Sequence, residues 1–374
     1  MILLKIGIVI IVGITAFFLF APQFGGRITR TYQEVLERSP NYSEGKFVNP
    51  VETNMPVPKL SVMLEFFRKG NNREPNYELK TKSFGRKEFI DKKDDDELSF
   101  SWFGHSSVLL NIEGKVLLID PVFSERASLF SFAGPKSFTY SDKLEVEDLP
   151  QVDAVLISHD HYDHLDYSTI RKLKDKVDAF FVPLGVRVHL EAWGVPADKI
   201  TELDWWDEIP LDQNIELVFT PTRHFSGRGL ADRDKTQWGA WAVIGNRKKV
   251  FFTGDSGYFN GFQKIGAKYG PFDLAFIECG QYNEAWSSIH MMPEQSAQVG
   301  EDLKARVVVP IHWGKFKLSL HSWTEPVERF LTAAQDKNYQ VLTPRLNEVV
   351  ALKNIRPETW WRREVPQLVE QLAR

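Results

Sequence analysis

No stretch of this chain constrains its fold more than residues 155–167, "VLISHDHYDHLDY". A run that reads as a buried strand ends in His159, His161, Asp163 and His164, spaced H-x-H-x-D-H. Residues two apart on an extended segment face the same side, so His159 and His161 can share one metal ion, while Asp163 and His164 open the following turn and face a second. A polar loop at a strand end has no need of three imidazoles at this spacing. The pattern therefore predicts that the remaining ligands of two ions lie elsewhere in the chain.

They are found where apolar runs stop. "VLLID" ends in Asp120, "ELVFTPTR" precedes His224, "VFFTG" precedes Asp255 and "RVVVPI" precedes His312. Strands lying side by side would gather these residues along one rim, where strand ends commonly place catalytic groups. His224 then adds a third nitrogen to the ion of His159 and His161, and His312 completes the ion of Asp163 and His164. Asp255, with two carboxylate oxygens, is the natural bridge. A donor set without sulfur suits two zinc ions, with iron or manganese also compatible. Cys279 is the only cysteine, which excludes an intramolecular disulfide or a thiolate cluster and reads as a small buried apolar residue. Of the other histidines, His105 in "WFGHSS" and His290 in "SSIHMMP" lie in glycine- or proline-flanked turns and fit either a supporting place at the site or a structural one. His321 is a weaker candidate of the same kind, and His189 reads as a helix residue.

From Leu98 onward, short β-rich runs alternate with helix candidates near 168–176, 186–193, 258–268 and 293–304, which predicts a layered α/β fold of sheets covered by helices. The expected catalytic domain spans 98–352. It is followed at 353–374 by a terminal helix whose Trp360–Trp361 pair reads as packing. Residues 25–97, rich in proline, asparagine and charge, read as a membrane-proximal linker with a docked segment at "KLSVMLEFF". Ahead of them, the first 21 residues carry one charge, Lys5. They are long enough to cross a hydrocarbon core of ~30 Å as a helix, so a single-pass transmembrane anchor is expected over 1–24. Arg27, Arg30, Arg38 and Lys46 after the span lean the body towards the cytoplasmic side. A formal charge of -4 and a pI near 6.2 give no support to nucleic-acid binding.

Taken in order, "SHDHYDHLD", "TPTRHFSGRG", "FFTGDSGY" and "IHWG" resemble the metallo-β-lactamase superfamily, an αββα sandwich with a two-metal site at one edge of its sheets. Within it, "WFGHSSVLL", "DPVFSERAS", "GPKSF", "VPLGV", "ELDWWDE", "WGAWAVIG", "GPFDLAFIECGQY" and "IHWGKFKL" are similar to the N-acyl-phosphatidylethanolamine-hydrolysing phospholipase D branch, over about residues 99–350. The resemblance implies His159, His161 and His224 on one zinc, Asp163, His164 and His312 on the other, Asp255 between them, and a substrate-side role for His290. Two departures stand out: Ser137 occupies a place where the family tends to carry Arg, and the first 98 residues show no obvious match. The implied activity is hydrolysis of N-acyl-phosphatidylethanolamine or a related phospholipid to an alcohol and phosphatidate, with a lactonase or other non-phosphate hydrolase as the alternative. Two divalent cations against Asp163 and Asp255 leave a positive site that acidifies water and attracts a phosphodiester. Asp163, Asp255 and His290 are the expected catalytic residues, His290 and His321 the expected substrate contacts, and Asp120 and His105 the groups that orient ligands. The anchor and the substrate make the membrane an expected partner.

Overall fold

Alternate residues of β4 (Val108–Ile112) and β5 (Lys115–Ile119) enter two different apolar clusters: Leu110, Leu117 and Ile119 pack on one side of their sheet, Leu109 and Leu118 on the other. A strand buried on both faces must be covered twice, and that dictates the layers. The computed structural model describes residues 21–54, 60–66, 72–91, 98–354 and 357–364, together with Lys5, Gly13, Phe17 and Gly70. After a hairpin of β1 (Tyr42–Ser43) and β2 (Lys46–Phe47), the chain forms two seven-stranded sheets. The first runs β16 (Val349–Ala351), β3 (Ser99–Trp102), β4, β5, β6 (Val152–Leu156), β7 (Val177–Pro183), β8 (Ile200–Leu203). In the second the order is β15 (Gln340–Val341), β14 (Val307–Ile311), β13 (Leu274–Glu278), β12 (Lys249–Phe252), β11 (Ala240–Gly245), β10 (Ile215–Thr220), β9 (Glu208–Pro210).

Each sheet has an antiparallel half and a parallel half: pairing is antiparallel from β16 to β5 and from β9 to β12, and parallel from β5 to β8 and from β12 to β15. The inner faces meet in one core, where Phe100 and Phe276 from opposite sheets lie edge to face at 5.0 Å. Helices Tyr167–Leu173 and Arg187–Ala192 cover the outer face of the first sheet through Ile170, Leu173 and Leu190. On the second sheet the cover comes from Gly261–Lys268, Pro293–Asp302 and Glu325–Ala333, through Ile265, Val299 and Phe330. The layered α/β architecture expected from the sequence is therefore the one observed.

Trp360 stacks on Trp313 at 5.6 Å and Trp361 meets it edge-on at 5.3 Å, so the terminal pair packs against the core. The helix there is described over Trp360–Glu364; the remainder of the expected terminal helix lies outside the described residues. The expected anchor over 1–24 also falls largely outside them, and among the described residues no helix is long and apolar enough to cross a membrane. Its described end corrects the boundary. Pro22–Phe24 form a 3-10 turn, and the Pro22 carbonyl accepts a 2.7 Å hydrogen bond from the Trp193 indole, so these residues are tied to the folded domain rather than continuing a span.

Candidate metal centre

Asp120 follows β5, His159 lies just beyond β6, His224 beyond β10, Asp255 beyond β12 and His312 directly after β14, so the carboxyl ends of five strands converge on one rim. Backbone shape assists. His105, Asp120, Gln281 and His312 all have positive φ, at 54°, 43°, 59° and 68°. Non-glycine residues hold this conformation only where the surroundings over-determine it, and such positions cluster at functional sites.

Two donor groups form side by side. In the first, His159 Nε2 and His161 Nδ1 are 2.9 Å apart, His224 Nε2 lies 3.2 Å from His161 Nδ1, and Asp255 Oδ2 stands 3.8 Å from both His159 Nε2 and His224 Nε2. His105, Asp163, His164 and His312 make the second, with His105 Nε2 2.7 Å from Asp163 Oδ2 and His164 Nε2 3.5 Å from that oxygen. Asp255 reaches across: its Oδ2 is 3.2 Å from His164 Nε2 and its Oδ1 3.2 Å from His312 Nδ1. The seven residues singled out as ligands in the sequence are thus brought together, and His105 stands among the second group.

Tautomers decide whether these residues suit a cation. The Ile289 carbonyl, 2.9 Å from His224 Nδ1, can only accept, so that nitrogen carries the proton and Nε2 presents a lone pair. Ser158 donates its hydroxyl to Asp120, so its oxygen accepts from His159 Nδ1 at 2.9 Å, which again leaves Nε2 as a lone pair. Both lone pairs point at His161 Nδ1, which could satisfy one of them at most. Three nitrogens at 2.9–3.2 Å repel unless a cation lies among them, and ligands of a tetrahedral zinc at ~2.0–2.1 Å would sit about 3.3 Å apart. In the second group His164 donates Nδ1 to Asp120 Oδ2 at 2.7 Å, and its Nε2 and Asp255 Oδ1 are buried without a hydrogen-bond partner. Buried orphans of this kind call for a missing partner. The residues fit two cations.

Electrostatics agree. Burial holds His159, His224 and His312 well below the usual histidine range, keeping them neutral as ligands must be. His164 is the exception: burial opposes its charge, but Asp255, Asp163 and Asp120 outweigh burial and raise it, as a positive charge confined among carboxylates requires.

A cavity of about 540 Å3 opens over both groups, with His161, Asp163, Asp255, His290 and His312 on its floor. Phe66, Phe225, Trp286, Ile289 and Leu318 line it along with Arg233. Phe66, next to last in the "KLSVMLEFF" segment, stacks on Trp286 at 6.1 Å and walls the cavity from that side. His290 is at this floor, but His321 is not among the lining residues: its Nε2 accepts from the Gln281 amide at 2.9 Å, its Nδ1 donates to the Ser322 carbonyl at 2.8 Å, and no ring nitrogen is left for a substrate. His189 is buried in its helix with Nε2 3.4 Å from Asp160.

Sequence reasoning missed several residues. Glu278, fully buried, accepts from the Ser256 and Met291 amides and lies 2.9 Å from His290 Nδ1; burial pushes its carboxyl up to about 7, with His290 pulling the other way. A lone acid at the end of "LAFIE" was the available signal. Asn49 brackets His224, donating to its carbonyl at 2.8 Å and accepting from its amide at 3.0 Å, and nothing local in "FVNPVET" marks it. Ser158 and Ser106, the latter 3.0 Å from His312 Nδ1, are equally unremarkable in sequence.

The model of the "Beta-lactamase superfamily domain" matches residues 115–313. An uncharacterised protein of Mycobacterium tuberculosis is 40% identical over 346 residues, covering 90% of this chain and 91% of its own. "N-acyl-phosphatidylethanolamine-hydrolyzing phospholipase D 1" of Caenorhabditis elegans is 36% identical over 265 residues, 67% of this chain and 74% of that protein. Among solved structures, a metallo hydrolase from the archaeon Ignicoccus hospitalis superposes with a TM-score of 0.52 at 20% identity, covering 68% of this chain and 97% of that one, a likeness of fold.

Proposed function

The chain belongs to the β-lactamase superfamily, among its metal-dependent hydrolases and in the branch with the N-acyl-phosphatidylethanolamine-hydrolysing phospholipases D, and we propose that it is itself a zinc-dependent phosphodiesterase of phospholipase D type. Its substrate is N-acyl-phosphatidylethanolamine or a related phospholipid, its products an alcohol and phosphatidate, and its amino-terminal apolar residues hold it at the membrane. The observation that carries this reading is the pairing of two facing donor groups with a cavity walled by Phe66, Phe225, Trp286 and Leu318: polar chemistry on the floor and room for acyl chains above.

Held by His159, His161 and His224 on one side and Asp163, His164 and His312 on the other, with Asp255 between, the ions would supply Lewis acidity and lower the pKa of the attacking water. The chain's own groups do the rest. Asp120 fixes His164 through Nδ1 and, by way of Ser158, fixes His159, so both rings keep their tautomer and direction. His290, tied by Nδ1 to Glu278, keeps Nε2 for a substrate oxygen in the cavity. Arg233, on the cavity wall, offers a cation to the phosphate, and the aromatic walls exclude bulk water.

Turnover in oxygen-18 water tests the reaction. Attack at phosphorus puts the label into phosphatidate and leaves the ethanolamine alcohol unlabelled, read by mass spectrometry of both products. Label in the alcohol excludes attack at phosphorus. Cleavage of neutral lactones with no turnover of any phosphodiester would give the site to the lactonase chemistry instead.

A further inference from the structure

Two large apolar side chains stand far out of the protein: Phe132 is 78% exposed and Leu230 86%, more than any other exposed large hydrophobic among the described residues. Neither is isolated. The Phe132 ring lies 5.2 Å from Phe130, Phe130 stacks flat on Phe17 at 5.2 Å, and Phe17 meets Phe24 at 6.1 Å. Leu230 and Phe24 line one hollow of about 690 Å3, together with Ala21 and Pro22. Phe132 and Leu230 therefore flank the place where the apolar amino-terminal residues enter the folded domain. Arg27, Asp232 and Lys235 border the same hollow, a polar margin around an apolar centre.

We propose that Phe132 and Leu230 form, with Phe17 and Phe24, a surface that docks on a lipid bilayer. What covers it follows from the chain: the 16 residues before Phe17 contain a single charge, Lys5, and such a stretch finds its solvent in hydrocarbon. The 3-10 turn at Pro22–Phe24, bonded to Trp193, leaves almost no slack between those residues and the domain, so side chains around that point lie at the lipid surface whenever the stretch is in the lipid. Apolar tips within a polar margin that includes Arg27 and Lys235 are a composition that suits a lipid interface. The loop carrying Leu230 also carries Phe225 and Arg233 of the cavity wall, so docking fixes how the cavity faces the head groups. The surface rests on the membrane association proposed above but not on the reaction.

A thiol-reactive environment-sensitive fluorophore tests it on the full chain, because Cys279 is buried and stays unlabelled. Phe132→Cys, Leu230→Cys and, as a control, Gln213→Cys just before β10 at the end remote from His224, are labelled singly and mixed with phosphatidylcholine vesicles bearing a shallow spin-labelled lipid. The chain should float with the vesicles, with blue-shifted and quenched emission at 132 and 230 and unchanged emission at 213. The proposal is overturned if the chain does not float, or if it floats while the labels at 132 and 230 keep their emission in buffer. It is equally overturned if the blue shift develops without vesicles as protein concentration rises, since a second copy of the chain would then be the occupant. No outcome depends on turnover, so loss of the phosphodiesterase reading leaves this result standing.

Discussion

Asp255 reaches both donor groups, lying 3.2 Å from His164 and His312 and 3.8 Å from His159 and His224. Asp255→Ala should therefore empty both positions, seen as metal content falling from two ions per chain towards none; loss of a single ion would make Asp255 a ligand of one cation alone. His290 stands differently. It faces the cavity from outside both triads of ligands and is braced by Glu278, so His290→Ala should keep both ions and lose most activity, and Glu278→Gln should weaken catalysis with the same metal content. If either variant loses metal, the pair holds a cation rather than the substrate. The contrast shows what a sequence displays at this scale. Imidazoles and carboxylates at strand ends are conspicuous because little else explains them there, whereas Glu278, Ser158 and Asn49 act through contacts with residues distant in the chain or through ordinary residue types.

Elements were readable in proportion to how much apolar surface they bury. The runs that became β3 to β7 and β10 to β14 are fully or nearly fully buried, and their β-branched and aromatic content announces them. By contrast β8, "ITEL", with two half-buried residues, and β9, "EIP", and β15, "QV", with exposed ones, are short edge strands held by pairing to a neighbour rather than by their own pattern. The expected linker over 25–97 has contacts that its pattern does not show, for a related reason. Its composition is that of a linker, yet Ser39 and Asn41 bond Asp204 at 2.5 and 2.8 Å, and Asn49 brackets the backbone of His224. These are polar bonds to distant partners, invisible to periodicity. Asn49→Ala removes both bonds to His224 and should cost about 1–3 kcal/mol, read as a lower midpoint in chemical denaturation with an unchanged slope. Unaltered stability would mean that water takes over both bonds and the segment only drapes the site.

At the level of the whole molecule, the two sheets with their matching antiparallel and parallel halves place every ligand on one rim, and the amino-terminal segment reaches the same domain from outside. Under the membrane attachment proposed above, that division makes attachment and chemistry separable. A chain beginning at Pro22 keeps the 3-10 turn, its bond to Trp193 and everything that touches the centre, so it should fold, hold two ions and turn over detergent-dispersed substrate at a rate near that of the full chain. On bilayers it should be slower, because the substrate is no longer concentrated by attachment and only Phe24, Phe132 and Leu230 remain of the proposed docking surface. A chain beginning at residue 55 should behave differently again: it lacks the bonds of Ser39 and Asn41 to Asp204 and of Asn49 to His224, so it should lose stability and activity together on either form of substrate. Comparing the three chains on dispersed and bilayer substrate, with metal content measured for each, separates the roles. If the chain starting at Pro22 is inactive on dispersed substrate as well, the first 21 residues belong to the catalytic fold, and the separation between attachment and chemistry is wrong.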